Sequence, residues 1–369
     1  MDRFIPSPSC VGVGDDPRPR IREAAQAGAA GVVDTTERLN GSGLAAGETT
    51  LVSGQPRVYN GDSVRRTWRT APTGSTDQEA GVNLVVGATG ALGGRITRDL
   101  LAAGEEVRVL VRPGSDYGSL IEQGAQPSMG DLKDAESLRR ACGGARTLIT
   151  TANSASRGGA DTVDTVDLAG NRALIDAARD AGVEHFIFIS ALGASEQSPV
   201  PFLRAKASTE AHLRDSGLTW TILQPNLFMD VWVVNMVVGP VQRGTPVTLV
   251  GRGDHRHAMI AAKDVAAFAI AAKRVPEARN ATLPLGGPEA KSWTQIVELA
   301  QSVIGRPIEL QYVPPGTPLP GWPEVASQLA TAFETYETVF DTSPLAERWG
   351  VRLTSLEEFL AENLRSISA

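Results

Sequence analysis

Three glycines separate a predicted strand from a predicted helix near residue 90, and this turn constrains the fold more than any other feature of the sequence. In VNLVVGATGALGGRI, the glycines Gly87, Gly90 and Gly93 follow the apolar run 83–86. An apolar residue then recurs every four positions from Leu92, which is typical of one helix face. The first glycine permits a tight turn, the second keeps the turn free of a side chain, and the third lets the helix pack closely on the strand. Together they predict the first βαβ unit of a parallel sheet.

The same turn predicts an anion-binding site. The first N–H groups of a helix have no partner within the helix and lie at the positive end of its dipole, so they bind phosphate groups. The spacing G-x-x-G-x-x-G is a variant of the dinucleotide fingerprint G-x-G-x-x-G. We therefore predict that a dinucleotide pyrophosphate is bound by Gly87, Ala88, Thr89, Gly90, Ala91, Leu92 and Gly93. The alternative is a turn that serves packing alone.

Strand-like and helix-like segments alternate from Val82 to residue 225. The predicted segments are strands at 83–86, 107–111, 147–151, 185–190 and 219–223, and helices at about 164–180 and 202–216. Such alternation is typical of a parallel sheet covered on both faces by helices. We predict an α/β fold with a doubly wound parallel Rossmann sheet over residues 81–225. A smaller, irregular C-terminal lobe over 226–369 is predicted to bind substrate and can return a strand to the sheet.

Residues 1–80 differ from the rest of the chain in composition. They carry scattered Gly, Pro, Ser and Thr and show no sustained period of 2 or 3.6 residues. We expect this low-complexity extension to be mostly disordered, because few bulky apolar side chains are present to stabilise an ordered backbone. The alternatives are a functional tail, or a natural start of the protein near Val82.

Charge and cysteine content exclude several functional classes. The chain has 35 Lys and Arg against 42 Asp and Glu, a net charge of −7, so we expect no nucleic-acid partner. Cys10 and Cys142 cannot build a disulfide framework, and no zinc-type spacing surrounds them. The N-terminus lacks a signal-like apolar run, and the apolar run 227–241 is too short and too interrupted to cross a bilayer. We therefore expect a cytoplasmic protein without a membrane segment.

The end of the second predicted strand indicates which dinucleotide binds. An acidic residue at this position accepts hydrogen bonds from the adenosine ribose of NAD, but this chain has Arg112 in VLVRPGSD. A guanidinium can pair with a 2′-phosphate, and Ser115 adds a hydroxyl donor. We predict NADP(H), with NAD(H) as the second choice; the alternative is that Arg112 is a surface side chain. Asp131 is predicted either to bond the adenine amino group or to cap the helix that begins near Asp134.

Two helices in the C-terminal part carry sequence caps. Ser292 and Gln295 form a capping box before an apolar helix, and Gly305 is its predicted stop. Thr354 and Glu357 repeat the pattern before a short terminal helix.

A family resemblance is carried, in order, by GATGALGG, LVRPGS, GDLKDAESL, GVEHFIFISALGAS, KASTEAHLRDSGLTWTILQPNLFMD and AAKDVAAFA. Over about residues 82–310 the chain resembles the NmrA-like group of atypical short-chain dehydrogenase/reductases. The resemblance implies an NAD(P)H-binding Rossmann fold. The group includes NAD(P)H-dependent quinone and dye reductases, isoflavone-type reductases and NADP-binding redox sensors without turnover, so the resemblance is specific to the family and not to a substrate.

The resemblance also points to a catalytic helix. The wider family has a Tyr-x-x-x-Lys pair, with the tyrosine near the substrate carbonyl and the lysine near the nicotinamide ribose. Here the pair reads Phe202 and Lys206. Because phenylalanine cannot donate a proton, the usual proton donor is missing. The resemblance implies that Lys206 binds the ribose hydroxyls or, with a lowered pKa, relays a proton. The alternative is a lysine that faces solvent.

Other positions follow from the same resemblance. Ser190 ends the strand FIFIS at the place of the family's active-site serine, where it would orient a substrate oxygen; the alternative is an ordinary turn residue. Pro225 and Asn226 follow the sixth strand, where relatives place the nicotinamide and the start of the substrate pocket. The nearby Phe228 and Trp232 are expected to line that pocket or, as is more common for such residues, to lie in the core.

Two histidines and one acid are further candidates for functional roles. His255 and His257 lie two apart in GRGDHRHAMI, but no third ligand can be named, so we predict no metal site. They are expected at a polar loop or pocket rim, with contact to substrate as the alternative. Asp264 precedes an apolar helix and is predicted to be its N-cap.

Two functions from different classes fit these features. The first is an NADPH-dependent reductase that transfers hydride to a small-molecule acceptor such as a quinone or another conjugated compound, because conjugation spreads the incoming charge and reduces the need for a strong acid. The second is a non-catalytic NADP(H)-binding sensor or assembly protein whose cofactor state changes its affinity for a protein partner. The missing tyrosine supports the second, and fold-level analogy favours the first.

Overall fold

Strands and helices alternate along the chain. The computed structural model describes residues 81–155, 157–319, 321–322 and 324–365. The strands are, in order, β1 (Val82–Val86), β2 (Val107–Val111), β3 (Gln126–Met129), β4 (Ala145–Thr150), β5 (His185–Ile189), β6 (Trp220–Pro225), β7 (Val247–Val250), β8 (Ala281–Leu285) and β9 (Leu310–Val313). The predicted disorder of residues 1–80 lies outside the described residues.

The helices surround the strands and differ in length and type. The α-helices are α1 (Ala91–Ala102), α2 (Gly118–Glu122), α3 (Ala135–Cys142), α4 (Asn171–Asp180), α5 (Pro201–Asp215), α6 (Met229–Val233), α7 (Gly239–Arg243), α8 (Ala262–Ala272), α9 (Trp293–Ile304), α10 (Glu324–Phe333), α11 (Ser343–Trp349) and α12 (Leu356–Leu364). Two segments are π-helical, Val163–Gly170 directly before α4 and Val234–Val238 between α6 and α7. Among the helices of the described residues, none has the length and apolar content that a membrane crossing requires.

Seven parallel strands form the main sheet in the order β3-β2-β1-β4-β5-β6-β8. The strand order reverses between β1 and β4, so a crevice opens there at the carboxyl ends of the strands. This confirms the predicted doubly wound parallel sheet. The last strand, β8, comes from the C-terminal region and pairs with β6 up to Pro225 and Leu285. The strands β7 and β9 pair in a separate two-stranded sheet that the sequence did not predict.

Apolar side chains cover both faces of the main sheet. Leu84 and Val86 of β1 lie in one buried cluster with α3 and α4, whereas Val85 lies in another with α1 and α8. This division follows from the alternation of side chains along a strand. A third cluster joins β7, α9 and α12. The described residues belong to one compact unit.

The predicted helix caps had different outcomes. The Ser292 hydroxyl accepts a hydrogen bond from the Gln295 amide at 3.3 Å, and the Ser292 amide donates to Oε1 of Gln295 at 3.0 Å, so this capping box is confirmed. Gly305 ends α9 with a φ of 68°. The prediction for Thr354 was wrong, because its hydroxyl donates to Asp264 at 2.8 Å and the next residue, Ser355, caps α12. The predicted N-cap role of Asp264 was wrong as well, because Ala261 is the N-cap of α8 and Asp264 lies within its first turn.

Candidate cofactor and active site

The glycine turn lies between β1 and α1 at the carboxyl edge of the sheet. Gly87 has a φ of 89°, which L side chains rarely adopt. A Cβ atom on Gly93 would collide with the carbonyl oxygen of Gly87, and one on Gly90 would lie 3.3 Å from that oxygen. Gly90 is the N-cap of α1, which has no side-chain cap and no acidic residue in its first turn. The first amides of α1 can therefore bind an anionic group.

The side chains of the turn leave the backbone accessible. Thr89, Gly90 and Ala91 are exposed, and Leu92 is half-buried. Ala88 is 1% exposed because its methyl group packs in the core, so this residue can offer only its backbone to a ligand. An exposed, glycine-lined helix start without a competing carboxylate fits the pyrophosphate that the sequence predicted.

A cleft beside the turn is lined by residues that follow four different strands. Gly87 and Thr89 follow β1, and Arg112, Asp131 and Arg157, which also line the cleft, follow β2, β3 and β4. This is the place expected for the adenosine half of a dinucleotide. Of the two roles predicted for Asp131, helix capping is wrong, because the side chain of Asp134 accepts the amide of Glu136 at 3.0 Å and caps α3.

Arg112 forms an ion pair at this cleft. Its Nη1 atom lies 2.5 Å from the carboxylate of Asp161, which Lys133 and Arg157 also contact. The Ser115 hydroxyl donates to the carbonyl oxygen of Arg112 at 2.7 Å and so closes the loop after β2. The cation predicted to bind a 2′-phosphate is therefore one of three, and all three surround a carboxylate that the sequence did not reveal.

Lys206 lies inside the protein, on the face of α5 that packs against β5. Its side chain is 3% exposed, so the alternative of a lysine that faces solvent is wrong. The ammonium group donates to the carbonyl oxygen of Ile189 at 3.2 Å and lies 4.8 Å and 5.4 Å from the ring centres of Phe188 and Phe202. Burial holds the pKa of Lys206 below its usual value, while the charges of two buried acids oppose that shift.

The nearer of these acids is Asp167, on the π-helical segment Val163–Gly170. Its Oδ1 atom lies 3.9 Å from Nζ of Lys206 and has no hydrogen-bond partner, although the side chain is fully buried. Its Oδ2 atom accepts from the amide and hydroxyl of Ser154 at 3.0 Å and 2.6 Å. Sequence reasoning missed Asp167, because an isolated Asp in a predicted helix carries no signal of burial.

The second acid, Glu210, lies one helical turn beyond Lys206 and organises Ser190. The Ser190 hydroxyl donates to Oε1 of Glu210 at 2.5 Å, and the same oxygen accepts from Gln224 at 2.8 Å. Arg214 pairs with the other oxygen at 2.8 Å. The spacing of four residues from Lys206 could have indicated that Glu210 shares its helix face.

Pro225 and Asn226 end β6 beside the C-terminal wall. The Asn226 amide donates to the carbonyl oxygen of Ala258 at 2.9 Å and to the Thr338 hydroxyl at 2.8 Å, and the residue is 7% exposed. Asn226 thus anchors the segment after α10 to the end of β6. Trp232 is buried in the core, as the more common role of such residues suggested.

The two histidines do not share a site. His257 is fully buried and shares a hydrogen bond with the Thr338 hydroxyl at 2.9 Å, and burial lowers its pKa. His255 lies beside Asp254 and Glu334, and the possible ligand atoms of these three residues are within 4.8 Å of one another. His257 is not part of this cluster, and the Glu334 carboxylate already accepts the amide of Arg252 at 3.0 Å.

Comparisons with known proteins identify the family. The sequence model of a family described as NAD(P)H-binding matches residues 87–275, more than half of the chain. The chain belongs to this NAD(P)H-binding family. Its cofactor is therefore NAD(P)H, and the glycine turn and the cleft are the parts of the chain that fit it.

The chain is similar to an assembly factor and to reductases. Photosystem II assembly factor Ycf39 of Cyanophora paradoxa is 35% identical over 63% of this chain and 71% of its own. NAD(P)H azoreductase of Xenophilus azovorans is 30% identical over 61% of this chain and 74% of its own. Among solved structures, the NADPH-dependent quinone oxidoreductase QOR2 of Escherichia coli in complex with NADPH matches with a TM-score of 0.63. That match is 22% identical over 76% of this chain and 99% of the other, and it shows a common fold.

Proposed function

We propose that this protein is an NADPH-dependent reductase that transfers hydride to a quinone or a similar conjugated acceptor. The observation that carries the proposal is the buried ammonium group of Lys206 at the carboxyl end of β5, held by Ile189 and paired with Asp167. In an α/β fold of this kind the reacting groups meet outside the carboxyl ends of the strands.

Different residues of the chain would have different roles in such a reaction. Bound NADPH would supply the hydride. The glycine turn would hold the pyrophosphate through its backbone amides, while Lys206 places a positive charge where the acceptor gains negative charge. Phe202 keeps an apolar ring where the wider family has a phenol, so the proton for the acceptor comes from Lys206 or from water. The Ser190 hydroxyl donates to Glu210 in this structure, so it would have to turn away from Glu210 to donate to a carbonyl oxygen of the acceptor.

The choice of NADPH over NADH rests on charge at the adenosine end. Arg112 and Arg157 line the cleft, and Lys133 lies beside them. Three cations from different loops are more than a ribose hydroxyl needs, whereas a 2′-phosphate carries close to two negative charges and three acceptor oxygens. The choice of acceptor is supported by the names of similar proteins, an azoreductase and a quinone oxidoreductase, since both act on flat conjugated compounds.

The test is NADPH oxidation by the full chain with a panel of quinones and azo dyes. The wild-type protein should consume NADPH with at least one acceptor, and Lys206→Met should lower kcat at least about a hundredfold, the lower range for a group acting in proton transfer. The matched control is Lys263→Met, which removes a surface lysine paired with Glu362 and should retain wild-type activity. Unchanged turnover in Lys206→Met would contradict the role of this lysine.

A second candidate function has its own support. The relative at 35% identity is an assembly factor, and Phe202 replaces the usual proton donor. Under this proposal the chain binds NADP(H) and changes its affinity for a protein partner with cofactor state. The acceptor panel separates the two functions: NADPH binding without oxidation, together with partner capture that differs between NADP and NADPH, would favour the regulatory role.

A further inference from the structure

Three cationic side chains contact Asp161 at the rim of the cofactor cleft. Arg112 follows β2, Lys133 follows β3 and Arg157 follows β4. Nη1 of Arg112 lies 2.5 Å from the carboxylate and Nη1 of Arg157 lies 3.4 Å from it, while Lys133 donates to its other oxygen. The side chain of Asp161 is 8% exposed, against 39% for that of Arg112. The carboxylate is therefore enclosed by the cations.

The balance of charge around Asp161 favours binding of an additional anion. The hydrogen bond from Lys133 holds the pKa of the Asp161 carboxyl below its usual value, so the group is ionised at neutral pH. One further acid is close, since Asp131 lies 3.9 Å from the Lys133 ammonium group. Three cations against two carboxylates leave one net positive charge at a cleft whose lining includes two of the cations, Arg112 and Arg157.

We propose that the Asp161 carboxylate occupies the place of the cofactor's 2′-phosphate, and that NADP(H) binds by displacing it. The inference rests on the proposed use of NADPH. A phosphate with nearly two charges and three acceptor oxygens satisfies two guanidinium groups and an ammonium group better than a single carboxylate does. NAD(H) has only a hydroxyl at that position and leaves Asp161 paired with the cations. The 2′-phosphate of NADP(H) therefore competes with the Asp161 carboxylate for the same three cations.

Asp161 is connected through the chain to the partner of the buried Lys206. Asp161 immediately precedes Thr162, whose hydroxyl caps the π-helical segment Val163–Gly170 in a capping box with Thr165. That segment carries Asp167, the partner of Lys206. π-helical turns are frequent at functional sites. Release of Asp161 should therefore loosen the start of the segment that positions Asp167.

The first arm of the test is calorimetric binding of NADPH and NADH to the full chain. Asp161→Asn removes the competing charge and should tighten NADPH binding about tenfold, within the usual range of coupling energies, with no comparable gain for NADH. Asp164→Asn, an exposed acid three residues further along, is the control and should change neither affinity. Weaker NADPH binding by Asp161→Asn, or equal tightening for both dinucleotides, would overturn the inference and leave the proposed function standing.

The second arm uses the wild-type protein, so it does not depend on the folding of a variant. Hydrogen exchange of the amides from residue 161 to residue 167 should be faster with saturating NADPH than with saturating NADH. Equal protection in the two complexes would show that Asp161 keeps its ion pairs and that the inference is wrong. If neither dinucleotide binds at all, the proposed function fails and the inference fails with it.

Discussion

Two opposing effects act on the ammonium group of Lys206. Burial of the side chain disfavours the charged form, while the negative charges of Asp167 and Glu210 favour it. One oxygen of Asp167 is satisfied by Ser154, and the other pairs only with the lysine. Since that oxygen has no hydrogen-bond donor, its charge acts on Lys206 without local compensation. The protonation state of the lysine therefore depends on Asp167.

This dependence predicts a change in the pH profile of Asp167→Asn. The negative charge of Asp167 raises the pKa of Lys206, so its removal lowers that pKa further. The protonated lysine is lost as pH rises through its pKa, so the alkaline fall in kcat should move to lower pH. The measurement is kcat for NADPH oxidation with a reactive quinone across neutral to alkaline pH.

A surface acid provides the control for this experiment. Asp176→Asn removes a carboxylate on α4 that pairs with Arg179, and its pH profile should match that of the wild type. A profile of Asp167→Asn that keeps the wild-type alkaline limb and only loses amplitude would mean that Asp167 supports the fold alone.

The sequence could identify Lys206 but not Asp167, the nearer of the two acids that act on it. Lys206 lies four positions after Phe202, and this spacing can be read from the sequence of the helix. Asp167 comes from a different segment, and it meets the lysine only because α5 packs on the π-helical segment Val163–Gly170. Asp161 was missed for the same reason: the ion pairs it forms join loops that are between 4 and 49 residues apart in sequence.

Among the secondary-structure elements, buried parallel strands were the easiest to predict. β2 runs from Val107 to Val111 as predicted, because a short segment with four apolar residues out of five, bounded by turns, is typical of a strand buried on both faces. The first half of the predicted helix 164–180 is π-helical, which no apolar spacing indicates. The pair β7 and β9 was missed because each has four residues and their register is set by packing on α9 and α12. Element type was thus predictable where burial is continuous along the strand, and not where pairing is long-range.

Asp264 shows how a tertiary contact can replace a local cap. Its side chain accepts the Thr354 amide at 2.7 Å and the Thr354 hydroxyl at 2.8 Å, which ties α8 to the start of α12. Asp264→Ala should destabilise the fold by about 1–3 kcal/mol, because a buried amide loses its acceptor. The measurement is urea unfolding. Asp99→Ala, which removes an exposed ion pair within α1, is the control and should cost less than about 1 kcal/mol. Equal losses in the two variants would mean that the Asp264 contact adds nothing beyond a surface pair.

For the molecule as a whole, the site depends on the sheet being complete within residues 81–365. β1 is an interior strand, paired with β2 on one edge and β4 on the other. The C-terminal region closes the sheet at the opposite end, where β8 pairs with β6 and Asn226 anchors the segment that contains Thr338. The cofactor cleft and Lys206 thus lie at one edge of a sheet whose strands all come from the described residues.

This arrangement predicts that residues 1–80 can be removed without loss of fold or cofactor binding. β1 begins at Val82 and has a partner strand on each edge among the described residues, so its pairing requires no earlier segment. The shortened chain should keep the melting temperature and the NADPH affinity of the full chain, measured by thermal unfolding and calorimetry. A deletion that extends to residue 86 removes β1 and should abolish both. A lower melting temperature or weaker NADPH binding in the shorter deletion would show that residues before Val82 pack on the sheet or contribute to the site.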